Sequence, residues 1–225
     1  MAIPFDASSI SSNTTGSSIT FSHTCTGSNR VLIVGVIGGS TDIVTGATYA
    51  GASMTQINKV QTPSDRWIYL FYKIGPATGA NNVVVSASAS ITDWMAAAES
   101  YTGCDQVSQP DSQNTNTATT ANSITVSTTV VASNCWLVGI GGASHATLSA
   151  GTGTTQRQFL SSGLYALLGD SNGTVGTGSQ SMAWNDNRVG GTNMAGIVAS
   201  IDPVAATTTT STSSSTSSST STSSS

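Results

Sequence analysis

The sequence predicts an all-β protein and, within that class, an antiparallel β-sandwich built from two sequence-related halves. Charged residues make up only 7% of the 225 residues, compared with about a quarter in an average soluble protein. The strong helix formers Glu, Lys and Arg are therefore scarce, whereas Thr and Ser, which strands tolerate well, are abundant. Many short segments separated by turn residues also indicate a sandwich or a barrel.

An internal echo divides the chain into two halves. Three blocks recur in the same order at a spacing of roughly 100 residues, which is too long for a solenoid repeat. The paired blocks are 28–35 with 133–139, 50–56 with 150–156, and Met95-Ala96 with Met194-Ala195. We predict one sandwich domain over residues 1–205, with half-repeats at about 16–104 and 119–202. In this arrangement two sheets face each other, so that each half covers the other's apolar side.

The first half consists of a series of predicted strands. Residues 18–22 alternate between polar and apolar side chains, as in a strand with one buried face. The apolar run at 31–37 predicts a central strand that is covered on both faces. Residues 66–74, rich in aromatic and branched side chains, have the strongest strand pattern. A hairpin around Ala50-Gly51 and one further strand are predicted at 45–49, 54–60 and 82–87.

The segment 94–102 is ambiguous, because propensity alone would make its Ala-Ala-Ala-Glu run helical. We predict a strand, since the corresponding segment 195–201 has Ile197, Val198 and Ile201 in strand-like surroundings.

The second half follows a polar connector predicted at 105–122. Its strands are predicted at 123–131, 135–140, 164–168, 181–184 and 194–201. From Thr207 to the end the chain contains only Thr and Ser, which cannot bury apolar surface against the entropy of ordering. We therefore predict a disordered tail at 206–225, which would act as a flexible tether or an O-glycosylated stalk.

Composition excludes several classes of partner. The net charge is −4, and only six Lys and Arg residues are scattered along the chain, so the clustered basic surface that nucleic acids or anionic membranes require is not expected. No apolar stretch is long enough to span a bilayer. The N-terminus lacks the basic start and apolar run of a signal peptide. These features predict a chain that folds in a cytoplasm.

No residue pattern predicts catalysis, a cofactor or a metal. His23 and His145 are the only histidines, and neither lies in a nucleophile signature. Asp93 and Glu99 share a strand face but would lie about 20 Å apart, too far for a glycosidase pair. Cys25, Cys104 and Cys135 are widely spaced, without a Cys-x-x-Cys motif. We expect small buried thiols, with one unassigned disulfide left open.

One ligand-binding surface is suggested by Trp67, Tyr69 and Phe71. At alternate positions of a strand, these three rings share one face. If that face is exposed, it forms an aromatic platform on which sugars could stack. If the strand is interior, both faces are core. Solvent exposure of the rings distinguishes the two alternatives.

The order of the blocks resembles a family of β-sandwich modules found in phage virion proteins and large bacterial surface proteins, mostly without assigned function. The resemblance rests on SNRVLIVGV (28–36), TYAGASMT (48–55), LFY (70–72), PATG (76–79), SYTG with DQ (100–106) and TQR (155–157). It implies a jelly-roll-like sandwich and no catalytic residues. Glu99 departs from the pattern, since similar modules place a small or apolar residue there.

These observations favour a non-enzymatic structural virion component, such as a phage head decoration, fibre or tail-associated module. Virion proteins fold in the host cytoplasm and are released by lysis, which reconciles a charge-poor, Ser/Thr-rich sandwich with the expected lack of an export signal. We expect the virion surface as its location, other virion or surface proteins as partners, and a homo-oligomer. The alternative is a carbohydrate-binding adhesion module at a cell surface, with glycans as ligands.

Overall fold

The computed structural model describes residues 3–145, 147–161 and 163–205. Its strands are β1 (Phe5–Ile10), β2 (Thr14–Cys25), β3 (Val31–Ile37), β4 (Val44–Tyr49), β5 (Ala52–Ser53), β6 (Thr55–Gln61), β7 (Trp67–Ile74), β8 (Gly79–Tyr101), β9 (Ser112–Ala121), β10 (Ser123–Val130), β11 (Trp136–Ala143), β12 (Leu148–Ala150), β13 (Thr155–Leu160), β14 (Tyr165–Asp170), β15 (Gly178–Asp186) and β16 (Thr192–Ile201). All strand pairings are antiparallel, which confirms the predicted all-β sandwich class. The tail predicted at 206–225 lies outside the described residues.

The first half, β1 to β8, contains two sheets joined by the 23-residue strand β8. The carboxyl-terminal part of β8 pairs with β1 and β3, which gives an inner sheet of order β1-β8-β3-β7-β6. The amino-terminal part of β8 pairs with β2 and β4, which gives an outer sheet of order β2-β8-β4-β5. The ambiguous segment 94–102 is mostly part of β8, so the strand prediction there is confirmed.

The second half, β9 to β16, has the same strand order. Its inner sheet runs β9-β16-β11-β14-β13 and its outer sheet β10-β15-β12. The first echoed block lies on β3 and β11, which are the central strands of the two inner sheets. The Met-Ala echo lies beside them, on β8 and β16.

The four sheets stack as outer, inner, inner, outer, with three apolar cores between them. One core fills the space between the sheets of the first half and another that of the second half. The third lies between the two inner sheets and is built from both halves. The sequence predicts a single pair of facing sheets; the structure differs because β8 and its counterparts provide each half with a second sheet.

The two inner sheets meet with their strand orders reversed relative to each other. At one edge, β1 lies against β13, where Gln158 Nε2 donates to Ser8 Oγ over 2.8 Å. At the other edge β6 lies against β9, where Asn58 Nδ2 donates to Gln113 Oε1 over 2.6 Å. The central strands β3 and β11 face each other. Gly35 permits this approach, because a Cβ there would lie 2.7 Å from Leu168 Cδ1.

The segment 105–122, predicted as a polar connector, contains strand β9. The side chains of β9 do not alternate between apolar and polar, so the sequence pattern does not predict this strand. It is held by backbone pairing with β16, and by Asn114 and Asn116, whose amides donate to carbonyls of β10. A strand at the edge of a sheet can be stabilised in this way without burying many side chains.

Candidate functional site

The aromatic row does not form a surface platform. Tyr69 and Phe71 are only 1% and 2% exposed, and Trp67 is partly buried against the same core of the first half. The neighbouring residues Ile68 and Leu70 point into the core between the inner sheets. Strand β7 therefore lies between two cores, and both of its faces are occupied. The rings stack on one another inside the protein, with centroids 6.2 and 6.4 Å apart.

The structure instead presents a polar cleft of about 410 Å³ at one end of the first half. Three segments far apart in sequence form it: the β3–β4 connection, the β6–β7 turn and the bend within β8. Its lining residues are Gly39, Ser40, Thr41, Ile43, Asp65, Arg66, Ser90, Ile91, Thr92 and Asp93. The lining therefore contains hydroxyl groups, three charged side chains and a smaller apolar part.

The β6–β7 turn fixes two charged residues of the cleft. The Thr62 hydroxyl accepts hydrogen bonds from the backbone amides of Asp65 and Arg66, at 3.3 and 3.0 Å. Thr and Ser side chains commonly stabilise turns in this way. Ser64 Oγ lies 2.5 Å from Ser144 Oγ, at the end of β11. The turn is thus anchored to the second half, which holds one wall of the cleft in place.

The cleft is lined by two acidic side chains, Asp65 and Asp93, and one basic side chain, Arg66. Partial burial acts to raise the pKa of Asp65, but hydrogen bonds from Ser144 and Ser64 and the charge of Arg66 outweigh it, so the pKa is lowered. Asp65 is therefore ionised at neutral pH. Arg66 Nε is buried without a hydrogen-bond partner among the described residues. Asp93, which belongs to the bend within β8, accepts at Oδ1 from Asn13 Nδ2 over 3.2 Å. Carboxylates, a guanidinium and hydroxyls can together hydrogen-bond a polyhydroxylated ligand.

A serine and a histidine meet away from the cleft. Ser9 Oγ lies 2.8 Å from His23 Nδ1, and Asp6 lies nearby. Burial lowers the pKa of His23 to about 4, against the opposing charge of Asp6, so the ring is neutral at neutral pH. Its Nε2 is buried and has no partner in the described part of the chain. A general base must reach its substrate, and this nitrogen is enclosed, so we assign the pair to packing. His145, the other histidine, is exposed beyond β11.

Asp93 and Glu99, which the sequence predicts to lie apart, are in different parts of the structure. Asp93 is exposed at the cleft, whereas Glu99 is fully buried between the inner sheets, near Asp170. These carboxyl groups therefore occupy different environments.

All three cysteines are buried free thiols. Burial raises the pKa of Cys104 to about 12 and also raises that of Cys25 and Cys135. Cys135 belongs to a cluster that the sequence did not suggest: its ligand atom and those of Asp111 and Asp202 lie within 4.8 Å of one another. The thiol donates to Asp202 over 3.0 Å, and Asp111 accepts from the Val131 amide over 2.6 Å. These groups therefore already partner one another or the backbone.

Comparison with protein-family models, curated proteins and solved structures finds no match. Among the described residues, no helix is long and apolar enough to cross a membrane.

Sequence reasoning did not identify the cleft residues Asp65 and Arg66, and it considered Asp93 only as a partner of Glu99. The one local signal was the turn Thr62-Pro63-Ser64-Asp65, in which polar turn formers directly precede an arginine. That signal predicts a turn and leaves its neighbours in space undefined.

Proposed function

We propose that the protein is a non-enzymatic structural module of an assembled surface, such as a virion component that decorates a head, fibre or tail. It would occur at the surface of the particle, bind other virion or surface proteins, and associate with copies of itself. The resemblance to modules of phage virion proteins is the origin of this proposal.

The observation that carries the proposal is the four-layer stack. One core fills each half and a third core joins the two halves, so that most of the apolar side chains lie inside a single block. The outer strands present short uncharged residues, as in β10, whose exposed positions are Ser and Thr. Such a block suits a role that depends on rigidity and a weakly charged surface.

Purified particles from the source of this chain provide the test. We expect mass spectrometry to find the polypeptide at a constant ratio to the main coat protein after washing at high salt. An abundant soluble host protein serves as the control and should be washed away. Loss of the chain together with that control would overturn the proposal.

The second candidate function is carbohydrate binding, and the polar cleft is the observation that favours it. Sugars combine hydroxyl groups with apolar C–H faces, and the cleft combines Asp65, Arg66 and Asp93 with the side chains of Ile43 and Ile91. The cleft lies within the 300–1,000 Å³ typical of small-ligand sites. The binding site would then be this cleft, with the aromatic row inside the core.

Substitutions in the cleft test this second function. After a glycan array has identified a bound saccharide, we expect Arg66→Ala and Asp93→Ala each to weaken its affinity about tenfold or more, because each removes a charged hydrogen-bonding group. Calorimetric titration measures the effect. Arg188→Ala, which removes a partly exposed guanidinium outside the cleft, is the matched control and should bind normally. An array without hits, or equal affinities for all variants, would contradict this function.

A further inference from the structure

The interface between the inner sheets is symmetric in its strands but asymmetric in its chemistry. Strand register makes Ile33 of β3 equivalent to Val138 of β11. Ile33 is flanked by Glu99 and Tyr72, whereas Val138 is flanked by Ala199 and Asp170. Tyr101 and Ile201 are equivalent in the same way, because they pair with Val31 and Trp136, the first residues of β3 and β11. The bulges in β6 and β13 likewise place Ile57 and Arg157 at matching positions.

These equivalences define a polar end and an apolar end of the interface. The polar end consists of Glu99, Tyr101, Asp170 and Arg157. The apolar end consists of the equivalent residues Ala199, Ile201, Tyr72 and Ile57, which all belong to the core between the inner sheets or pack against it. The two ends of the interface are therefore packed differently, and only the polar end places carboxyl and guanidinium groups there.

Asp170 organises most of the polar end. It is fully buried, and Oδ2 accepts from Tyr101 Oη at 2.8 Å and from Arg157 Nε at 2.7 Å. The Arg157 guanidinium also lies 4.0 Å from the centre of the Phe5 ring and donates to Asn172. Asp170, Tyr101 and Arg157 are thus mutually satisfied across the two halves.

Glu99 is the exception at this end. It is the only glutamate of the chain, it is fully buried, and neither carboxyl oxygen has a hydrogen-bond partner among the described residues. Leaving a buried carboxylate without a partner is costly, and the group avoids this cost by remaining protonated.

The surroundings of Glu99 oppose its ionisation. On its own strand lies Tyr101, on β14 lies the Asp170 carboxylate, and on β13 lies the Arg157 guanidinium. Its cross-strand neighbours Ser8 and Ile33 do not titrate. Burial first, and then the negative charge of Asp170, raise the pKa of Glu99 well above its usual range. The nearby Tyr101 hydroxyl, whose proton is donated to Asp170, and the charge of Arg157 act in the opposite direction without outweighing them.

We propose that Glu99 is a pH-sensitive latch: the polar end of the inner sheets stays packed while Glu99 is protonated and loosens when Glu99 ionises. The direction follows from linkage. Because the pKa of Glu99 is higher in the folded than in the unfolded chain, its contribution favours folding fully below the unfolded pKa of about 4.3. As the pH rises from there towards the folded pKa, the folded state loses that advantage.

Glu99→Gln tests the latch, because glutamine has nearly the shape of protonated glutamic acid and cannot ionise. We expect equal stability of the two proteins near pH 4 in denaturant titrations. Above that pH, the unfolding constant of the wild type should rise relative to that of Glu99→Gln by up to tenfold per pH unit. Glu99→Ala, which copies the residue at the equivalent position 199, should show the same relative pH dependence even if its stability differs at all pH values.

Hydrogen exchange locates the effect. Relative to Glu99→Gln, the wild type at pH 8 should exchange faster at β13, β14 and the end of β8, with no difference at β6 and β9. A constant ratio of unfolding constants across the pH range would overturn the proposal, as would an exchange difference spread evenly over both ends of the interface.

Discussion

Gly141→Ala should destabilise the protein by about 3 kcal/mol, at the upper end of what overpacking a core usually costs. A Cβ at this position would lie 2.3 to 2.7 Å from three carbons of the Trp184 indole. The indole cannot easily move away. It is completely buried, it also lies against Gly139 and Gly196, and its Nε1 donates to the Leu167 carbonyl over 3.2 Å. Urea unfolding followed by circular dichroism measures the effect.

Gly46→Ala is the matched control, since it also replaces a strand glycine but a Cβ there meets nothing within 4 Å. Its stability should stay within about 0.5 kcal/mol of the wild type. Combining Gly141→Ala with Trp184→Leu should cost less than the sum of the two single changes, because the smaller side chain leaves room for the new methyl group. We call the space that Gly139, Gly141 and Gly196 leave for the Trp184 indole the glycine slot. Equal unfolding midpoints for Gly141→Ala and Gly46→Ala would show that the indole is not confined by this slot.

The glycine slot illustrates what local sequence can and cannot specify. The Gly-rich run in β11 and the small residues of β16 are visible in the chain, and both segments are predicted as strands. The partner that requires those glycines, Trp184, lies on an outer sheet and approaches through packing between sheets. Periodicity describes the two faces of one strand, and it contains no information about which distant ring will cover a face.

The same distinction explains the aromatic row and the cleft. Alternation correctly places Trp67, Tyr69 and Phe71 on one side of β7. It could not tell an exposed side from a buried one, because that depends on the outer sheet that β8 continues into. The cleft is harder still, since Asp65 and Asp93 belong to a turn and a bend that meet only after the sheets have packed. Local sequence patterns are therefore largely sufficient to predict which segments form strands. The stacking of the sheets and the position of the cleft depend on contacts between segments that are far apart in the chain.

Asp170→Ala should destabilise the protein by about 3–5 kcal/mol, as expected when one partner of a buried ion pair is removed. The carboxylate receives hydrogen bonds from the Tyr101 hydroxyl, from Arg157 Nε and, through Oδ1, from the Asn172 amide at 2.9 Å. Without it, these donors lose their acceptor at the boundary between the halves, where little or no water can replace it. Thermal and urea unfolding measure the loss.

Lys59→Ala serves as the control for this second substitution, because it removes an ion pair of a different kind. Lys59 pairs with Asp42, and the two side chains are 39% and 30% exposed. Such pairs contribute only about 0–1 kcal/mol, since water already solvates both charges. The loss of stability in Asp170→Asn should lie between those of Asp170→Ala and Lys59→Ala. The amide oxygen can still accept one hydrogen bond, but the negative charge that pairs with Arg157 is gone. If Asp170→Ala cost no more than Lys59→Ala, the polar end of the interface would have to be hydrated, and Glu99 would then have no reason to remain protonated.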